Sequence, residues 1–197
     1  MAQPADDDVL MAAYQAGNRA AFTELYARYS GSVYGFLARR VPSRALADDL
    51  FQEVFLRVHR ARHTYDSTRP FRAWLFGIVH NLLIDSLREL ERTPRTIGLA
   101  GAGAVADGDS GVDLAAPSAS PEETASAREM ARALGHAVRA LPADEATVLV
   151  LARIEGLPYE DIALVIGRSA AATKQLAYRA LKRVRAEVAA AGHGEGS

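Results

Sequence analysis

The chain contains no cysteine. Disulfides, thiolate metal sites and cysteine nucleophiles are therefore excluded, and nothing asks for an oxidising compartment, so a reducing cytoplasm is expected. No apolar run approaches the roughly 20 residues that a membrane span requires, and Met1 to Asp8 are acidic where a secretion signal would be basic. There is one tryptophan, and lysine supplies only two of the 23 basic residues, the rest being arginine. Alternating apolar and polar residues of the kind that build a half-buried strand are also missing. What is abundant is alanine, with 39 of 197 residues, which inflates the 49% hydrophobic content and makes the chain helix-prone with a lean core.

The net charge of -1 hides an internal division. Residues 1–96 carry 13 basic and 11 acidic side chains, residues 97–123 carry five acids and no base, and residues 124–197 carry ten basic and eight acidic. Two segments at +2 thus flank a connector at -5. The connector holds five Gly, seven Ala, three Ser and two Pro with no aromatic residue. It cannot bury enough apolar surface to offset its ordering entropy, which predicts a flexible linker between two small domains.

Apolar spacing of three and four residues predicts helices throughout. Phe22, Leu25, Tyr26, Tyr29, Val33, Phe36 and Leu37 lie on one helical face, and Leu46, Leu50, Phe51, Val54, Phe55 and Val58 repeat the pattern. Phe71, Trp74, Leu75, Ile78, Val79, Leu82, Leu83 and Leu87 form a third helix, with Pro70 at its opening where a missing N–H costs nothing. With a short helix near Val9 to Gln15, these make a bundle ending near Arg92. In the second segment, Pro142 ends a helix marked by Leu134, Val138 and Leu141, and Ala146 to Ile154 form the next. Tyr159 to Ile166, the turn Gly167-Arg168-Ser169 and a final helix to about Val188 describe a helix-turn-helix, with Ser169 as N-cap.

Rotation at about 100° per residue sorts the final helix into two sides. Thr173, Leu176, Ala177, Ala180, Leu181, Val184 and Val188 form a packing side; Lys174, Gln175, Tyr178, Arg179, Lys182, Arg183 and Arg185 cover the other. Surface helices ordinarily interleave acids with bases, yet these five cations have no acid between Ser169 and Ala186, which favours phosphate contact over plain solvation. The helix-turn-helix frame makes the ligand duplex DNA. On the third helix Asn81, Asp85 and Arg88 fall within about 60° of one another, opposite Val79 and Leu83, a polar stripe suited to single-stranded DNA. The outer face of the second helix carries Asp49, Gln52 and Glu53.

The sequence carries no catalytic signature. His59 and His63 have the i, i+4 spacing of a helical metal pair, but no third ligand accompanies them and HExxH is absent. His80 and Asp85, five apart, do not place groups for acid–base work. With no Gly-rich phosphate loop, nucleophile elbow or carboxylate dyad, neither an enzyme nor a cofactor or metal site is expected.

Leu141-Pro142, Glu155 to Ala163 (EGLPYEDIA), Gly167-Arg168-Ser169 and Lys174 through Arg185 resemble region 4 of the extracytoplasmic-function sigma factors of bacterial RNA polymerase. Gly17 to Tyr29 (GNRAAFTELYARY), Asp48 to Arg57 (DDLFQEVFLR) and Phe71 to Arg88 (FRAWLFGIVHNLLIDSLR) resemble region 2 of the same family. The resemblance covers about 160 of the 197 residues in the family's order.

That resemblance implies an all-α chain: a region 2 bundle at 1–96, a flexible acidic linker at 97–123, a region 4 helix-turn-helix domain at 124–190 and a disordered tail at 191–197. It implies that Asp48, Asp49, Gln52 and Glu53 dock on core RNA polymerase. It implies that Asn81, Asp85 and Arg88, with Tyr65, Asp66 and Ser67 of the preceding loop, read the -10 element as it melts, Tyr65 offering an aromatic wall to a base turned out of the stack. It implies that Arg168, Ser169, Ala171, Ala172, Lys174, Gln175, Tyr178, Arg179, Lys182 and Arg183 meet the -35 duplex. The implied partners are core polymerase and promoter DNA, with an anti-sigma factor as a further candidate, no membrane, and a monomer when free. Two departures from the family pattern bear on sequence readout: Ala171-Ala172-Thr173 and Gln175-Leu176 stand where Gly-Thr-Val and Ser-Arg are common, and the segment after Arg88 is less basic. The alternative is a helix-turn-helix regulator that binds DNA without docking on polymerase.

Overall fold

The computed structural model describes residues 6–92 and 121–192. Four helices come first: α1 (Asp7–Gln15), α2 (Arg19–Ala38), α3 (Arg44–Ala61) and, after a single 3-10 turn at Arg62–Thr64, α4 (Phe71–Arg92). Four more follow: α5 (Pro121–Ala140), α6 (Ala143–Arg153), α7 (Tyr159–Ile166) and α8 (Ala170–Gly192). No strand occurs among the described residues. The all-α expectation holds, while α1 begins two residues earlier and α8 ends four residues later than the spacing suggested. The expected linker lies outside the described residues up to Ser120, its last three residues opening α5. Most of the expected tail, from residue 193, lies outside them too.

Local chemistry sets the boundaries. The first turn of α1 carries Asp7 and Asp8, complementing the positive end of the helix. The Asn18 side chain accepts from the amides of Ala20 (3.0 Å) and Ala21 (3.4 Å) to start α2. Ser43 accepts from the Leu46 amide at 3.3 Å to start α3. At α4 the Pro70 carbonyl takes the first helical bond, from Trp74 N–H at 3.2 Å.

The apolar faces of α1 to α4 converge on Met11, Val33, Phe36, Leu37, Val54, Leu75, Phe76 and Leu83, all fully buried. Each such large side chain contributes about 1.5–3 kcal/mol relative to exposure. This core does not stop at α4. It continues without a break into Val148, Val150 and Leu151 of α6, Leu157, Ile162 and Val165 around α7, and Leu176 of α8. A smaller cluster of Ala137, Leu141, Ala146, Ala180 and Val184 fastens α5 to α6 and α8.

Polar groups seal the junction of the two helix groups. Arg72 on α4 donates from Nη2 to the Glu155 carbonyl at 2.5 Å, and its guanidinium lies 3.8 Å from the Glu155 carboxylate. His80, also on α4 and buried, has Nδ1 hydrogen-bonded to Thr147 Oγ1 (3.1 Å) and Nε2 3.9 Å from Asp144 Oδ1. Burial holds the His80 imidazole below its ordinary pKa, Asp144 opposing and Arg40 adding to the effect. Arg40 is itself buried, and desolvation pulls its guanidinium down to about 10. The sequence carries no local sign of this contact, because Leu151, Ile162 and Val165 read equally well as the private core of a small domain.

Candidate nucleic-acid interface

The α7–α8 pair is a helix-turn-helix. Gly167 closes α7 at φ +65°, a left-handed conformation that a side chain would strain, and the Arg168 amide then donates back to the Ala163 carbonyl at 3.0 Å. Ser169 accepts from the Ala172 amide at 3.2 Å and starts α8 as its N-cap. Thr173, Leu176, Ala180 and Val184 are buried, which fixes the roll of α8. Fixing the roll turns Ala171, Lys174, Gln175, Tyr178, Arg179, Lys182, Arg183 and Arg185 to solvent, while Ala172 is half-buried at the edge. Lys174, Gln175, Tyr178 and Arg179 line an open hollow of about 410 Å³, and Tyr178 stands 71% exposed. A bare aromatic among cations suits a surface that stacks on or slides against nucleic acid.

Four cations of this surface have acidic neighbours after all, supplied by other helices. Arg168 donates from Nη2 to Asp144 Oδ2 at 2.9 Å, and Lys174 Nζ lies 3.7 Å from Glu160. Arg179 and Arg183 flank Glu145 of α6, their Nε atoms 3.8 and 3.2 Å from its carboxylate oxygens. Sequence inspection of α8 alone could not find these pairs, since each spans the fold.

The second surface lies on α4, where Asn81, Asp85 and Arg88 are all exposed or half-exposed on one stripe. Asp66 and Ser67 are exposed in the loop before it, and the Thr68 amide donates to Asp66 Oδ1 at 2.9 Å, holding that carboxyl below its ordinary pKa. Tyr65 departs from the role expected of it. Its ring is 5% exposed, packed edge-on against Trp74 (5.4 Å) and Phe71 (6.0 Å). Its hydroxyl lies 2.5 Å from Asp8 Oδ1 and 2.9 Å from the Arg69 carbonyl. Tyr65 braces the loop from beneath and presents no aromatic wall here, because Phe71 and Trp74 pack against its ring and Asp8 takes its hydroxyl.

The third surface is the outer side of α3. Asp49 and Gln52 lie toward solvent and Asp48 is half-buried, whereas Glu53, expected to stand free, is ion-paired with Arg57 (3.0 Å) and Arg60 (3.8 Å). Beside Gln52 opens an apolar hollow of about 630 Å³ walled by Phe22, Tyr26, Phe51, Phe55 and Leu56. Tyr26 is 39% and Leu56 49% exposed, so the hollow offers apolar surface next to the carboxylates. The spacing of Phe22 with Tyr26, and of Phe51 with Phe55, one helical turn apart, was the signal that could have revealed it. His59 is turned to Tyr14, with Nδ1 2.5 Å from the phenol oxygen. No group of three or more His, Asp or Glu side chains able to hold a metal occurs among the described residues.

Residues 25–93 match the family model for Sigma-70 region 2, and residues 131–184 match that for Sigma-70, region 4. The RNA polymerase sigma factor CarQ of Myxococcus xanthus is 34% identical over 176 residues, 89% of this chain and 93% of that protein. An ECF RNA polymerase sigma-E factor of Haemophilus influenzae is 29% identical over 184 residues, covering 93% of this chain and 96% of the relative. Among solved structures, CnrH in complex with the cytosolic domain of CnrY superposes with a TM-score of 0.65 at 28% identity, over 93% of this chain and 97% of that one. The two matched regions contain the polar stripe of α4 and most of the basic, solvent-facing side of α8, and on these grounds the chain belongs to the extracytoplasmic-function family of RNA polymerase sigma factors.

Proposed function

We propose that the chain performs the family's task, directing core RNA polymerase to a set of promoters, through three separate surfaces. Asp48, Asp49, Gln52 and Glu53 on α3 dock on the polymerase, the adjoining apolar hollow extending the contact. Asn81, Asp85 and Arg88 on α4, with Asp66 and Ser67 of the loop that Tyr65 braces, meet the -10 element once it is single-stranded. Asn81 carries both a donor and an acceptor for a base edge, and Arg88 can hold a phosphate. Arg168, Ser169, Ala171, Ala172, Lys174, Gln175, Tyr178, Arg179, Lys182 and Arg183 face the -35 duplex. The observation that carries the duplex assignment is the roll of α8, whose buried Thr173, Leu176, Ala180 and Val184 leave Lys174, Gln175, Tyr178, Arg179, Lys182 and Arg183 outside.

Division of labour along α8 follows from its geometry. Residues near the start of a recognition helix enter the major groove first, so Lys174 and Gln175 meet bases, while Arg179, Lys182 and Arg183 meet phosphate. The two alanines offer only methyl contacts, which concentrates base readout on few side chains.

Reaching both promoter elements requires the two helix groups to part. By their numbering the elements are about 25 base pairs apart, or about 85 Å of duplex at ~3.4 Å per pair. A compact chain of this size has a diameter of about 40 Å. Separation along the α4–α6–α7 junction opens the apolar core that the two groups share, and polymerase docking has to offset that cost. The 28 residues between Arg92 and Pro121 supply a contour of ~90 Å for the excursion.

The chain itself catalyses nothing in this scheme and acts in the cytoplasm, where polymerase and promoters are; no helix of the described residues is long and apolar enough to cross a membrane. In domain terms, residues 1–96 bind polymerase and -10 DNA, 97–123 tether, and 124–190 bind the -35 duplex. Gel filtration with core polymerase from the source bacterium tests the reading, with co-elution expected. Duplex binding by the chain without association with core would instead make it a helix-turn-helix regulator.

A further inference from the structure

Glu145 is the carboxylate in this fold with the least obvious reason to be where it is. It lies in the first turn of α6, where the helix dipole favours an acid, but its residue is only 4% exposed. Oε2 accepts no hydrogen bond of good geometry, although the Arg183 Nε is 3.2 Å away. A buried carboxylate oxygen left in that condition costs stability, and a well-packed apolar side chain at the α6–α8 seam would avoid the cost. Local conflicts of this kind concentrate at functional sites.

Its surroundings suggest the function. Arg179 and Arg183 are one turn apart on α8 and straddle the carboxylate, Arg179 Nε 3.8 Å from Oε1 and Arg183 Nε 3.2 Å from Oε2. Both arginine side chains remain 59% exposed. A guanidinium has five N–H donors in a rigid fork, and engaging one edge at Nε leaves the terminal Nη pair for a second anion. One buried acid therefore draws two long cations toward one place on the surface by charge.

We propose that Glu145 is a positioning residue for duplex recognition, holding Arg179 and Arg183 by their Nε edges so that their Nη forks meet two phosphates at set positions. This rests on the proposed assignment of the α8 face to the -35 duplex. Its consequence is discrimination. Forks biased toward one placement reward a duplex docked in the correct register, because less side-chain ordering is left to offset. The same carboxylate cancels one of the two positive charges, which lowers attraction to any duplex regardless of sequence. Removing the charge should raise non-specific binding while giving the correct site less benefit.

The test uses the full chain and duplexes selected by the parent from a randomised pool, each paired with a scrambled duplex of equal composition. For Glu145→Gln we expect the ratio of selected to scrambled affinity to fall about tenfold. The salt dependence of scrambled-duplex binding should steepen by about one unit in log–log slope, as for one further phosphate neutralised. Both effects should vanish when Glu145→Gln is made in an Arg179→Ala/Arg183→Ala background. Thermal melting monitors the fold. A parallel loss of affinity for both duplexes, or an unchanged ratio, would overturn the proposal and leave Glu145 as a strut between α6 and α8. If the parent selects no duplex, or if Arg179→Ala/Arg183→Ala alone leaves binding unchanged, the assignment of the α8 face itself fails.

Discussion

Reversing two charges on α3 should separate docking from folding. In the double variant Asp49→Arg/Glu53→Arg the fold loses only the ion pairs of Glu53 with Arg57 and Arg60, since Asp49 makes no ion pair among the described residues. All three paired side chains are at least about one-third exposed, so solvent screens them. Such surface pairs are worth at most about 1 kcal/mol, and new repulsion of Arg57 and Arg60 by the introduced guanidinium adds a similar amount. Against a total stability of about 5–15 kcal/mol, the melting temperature should drop by a few degrees and the protein should stay folded. At an interface the same reversal places two cations against the groups that received two carboxylates. A loss of about 2–5 kcal/mol is expected there, a weakening of about 30-fold or more in affinity for core polymerase. Competition of the variant against labelled parent for core polymerase measures this directly, with duplex binding through α8 as an internal control. Equal core affinity for variant and parent, with the fold intact, would refute the assignment of this face. Loss of duplex binding alongside core binding would show that the variant is misfolded.

Further expectations concern the DNA surfaces and the junction. Asn81→Ala should reduce open-complex formation more than closed-complex binding, since a base-edge contact on α4 becomes available only after melting; permanganate reactivity of unpaired thymines reports it, and normal melting would return Asn81 to the solvated surface. Gln175→Ala should lower discrimination among -35 sequences by about 1–3 kcal/mol if its contact is bidentate, measured as isotherms on several duplex variants; a uniform weakening across all of them would mean that the helix is docked differently. The buried His80 binds its proton less readily in the packed state than when exposed, so packing of the two helix groups is fully stable above about pH 6.5 and weakens as pH falls below it. Because the chain lacks cysteine, one cysteine placed on α3 and one on α5 would report separation by energy transfer between attached dyes; an unchanged signal from pH 8 to pH 5.5 would contradict this account of His80.

Elements whose chemistry is local were legible in the sequence. The 3–4 spacing of Phe22 to Leu37 and of Phe71 to Leu87 located α2 and α4, and Tyr159 to Ile166 matched α7 residue for residue, because Pro158 before it and Gly167 after it limit the helix without tertiary help. Which side of α8 packs and which faces solvent was also legible, since helical rotation alone separates Thr173, Leu176 and Val184 from Lys174, Gln175 and Tyr178. Interactions between distant segments were not. Tyr65 was expected at the surface as a loop aromatic, but Asp8, 57 positions earlier, takes its hydroxyl, and Trp74 covers its ring. Lys174, Arg179 and Arg183 of α8 looked unpaired because their partners, Glu160 and Glu145, belong to α7 and α6. The core that joins α4 to α6 and α7 was equally invisible, as an apolar stripe specifies that it must be covered and says nothing about by what.

The central claim is that this chain confers promoter choice on polymerase, and run-off transcription with core enzyme from the source bacterium tests it most directly. A library of genomic promoter fragments is transcribed with core alone and with core plus the chain, and the transcripts are sequenced. The account predicts new start sites on a limited set of fragments that share a -35 and a -10 element, appearing only when the chain is present and lost with Asp49→Arg/Glu53→Arg. No chain-dependent start site on any fragment, despite association with core, would contradict it.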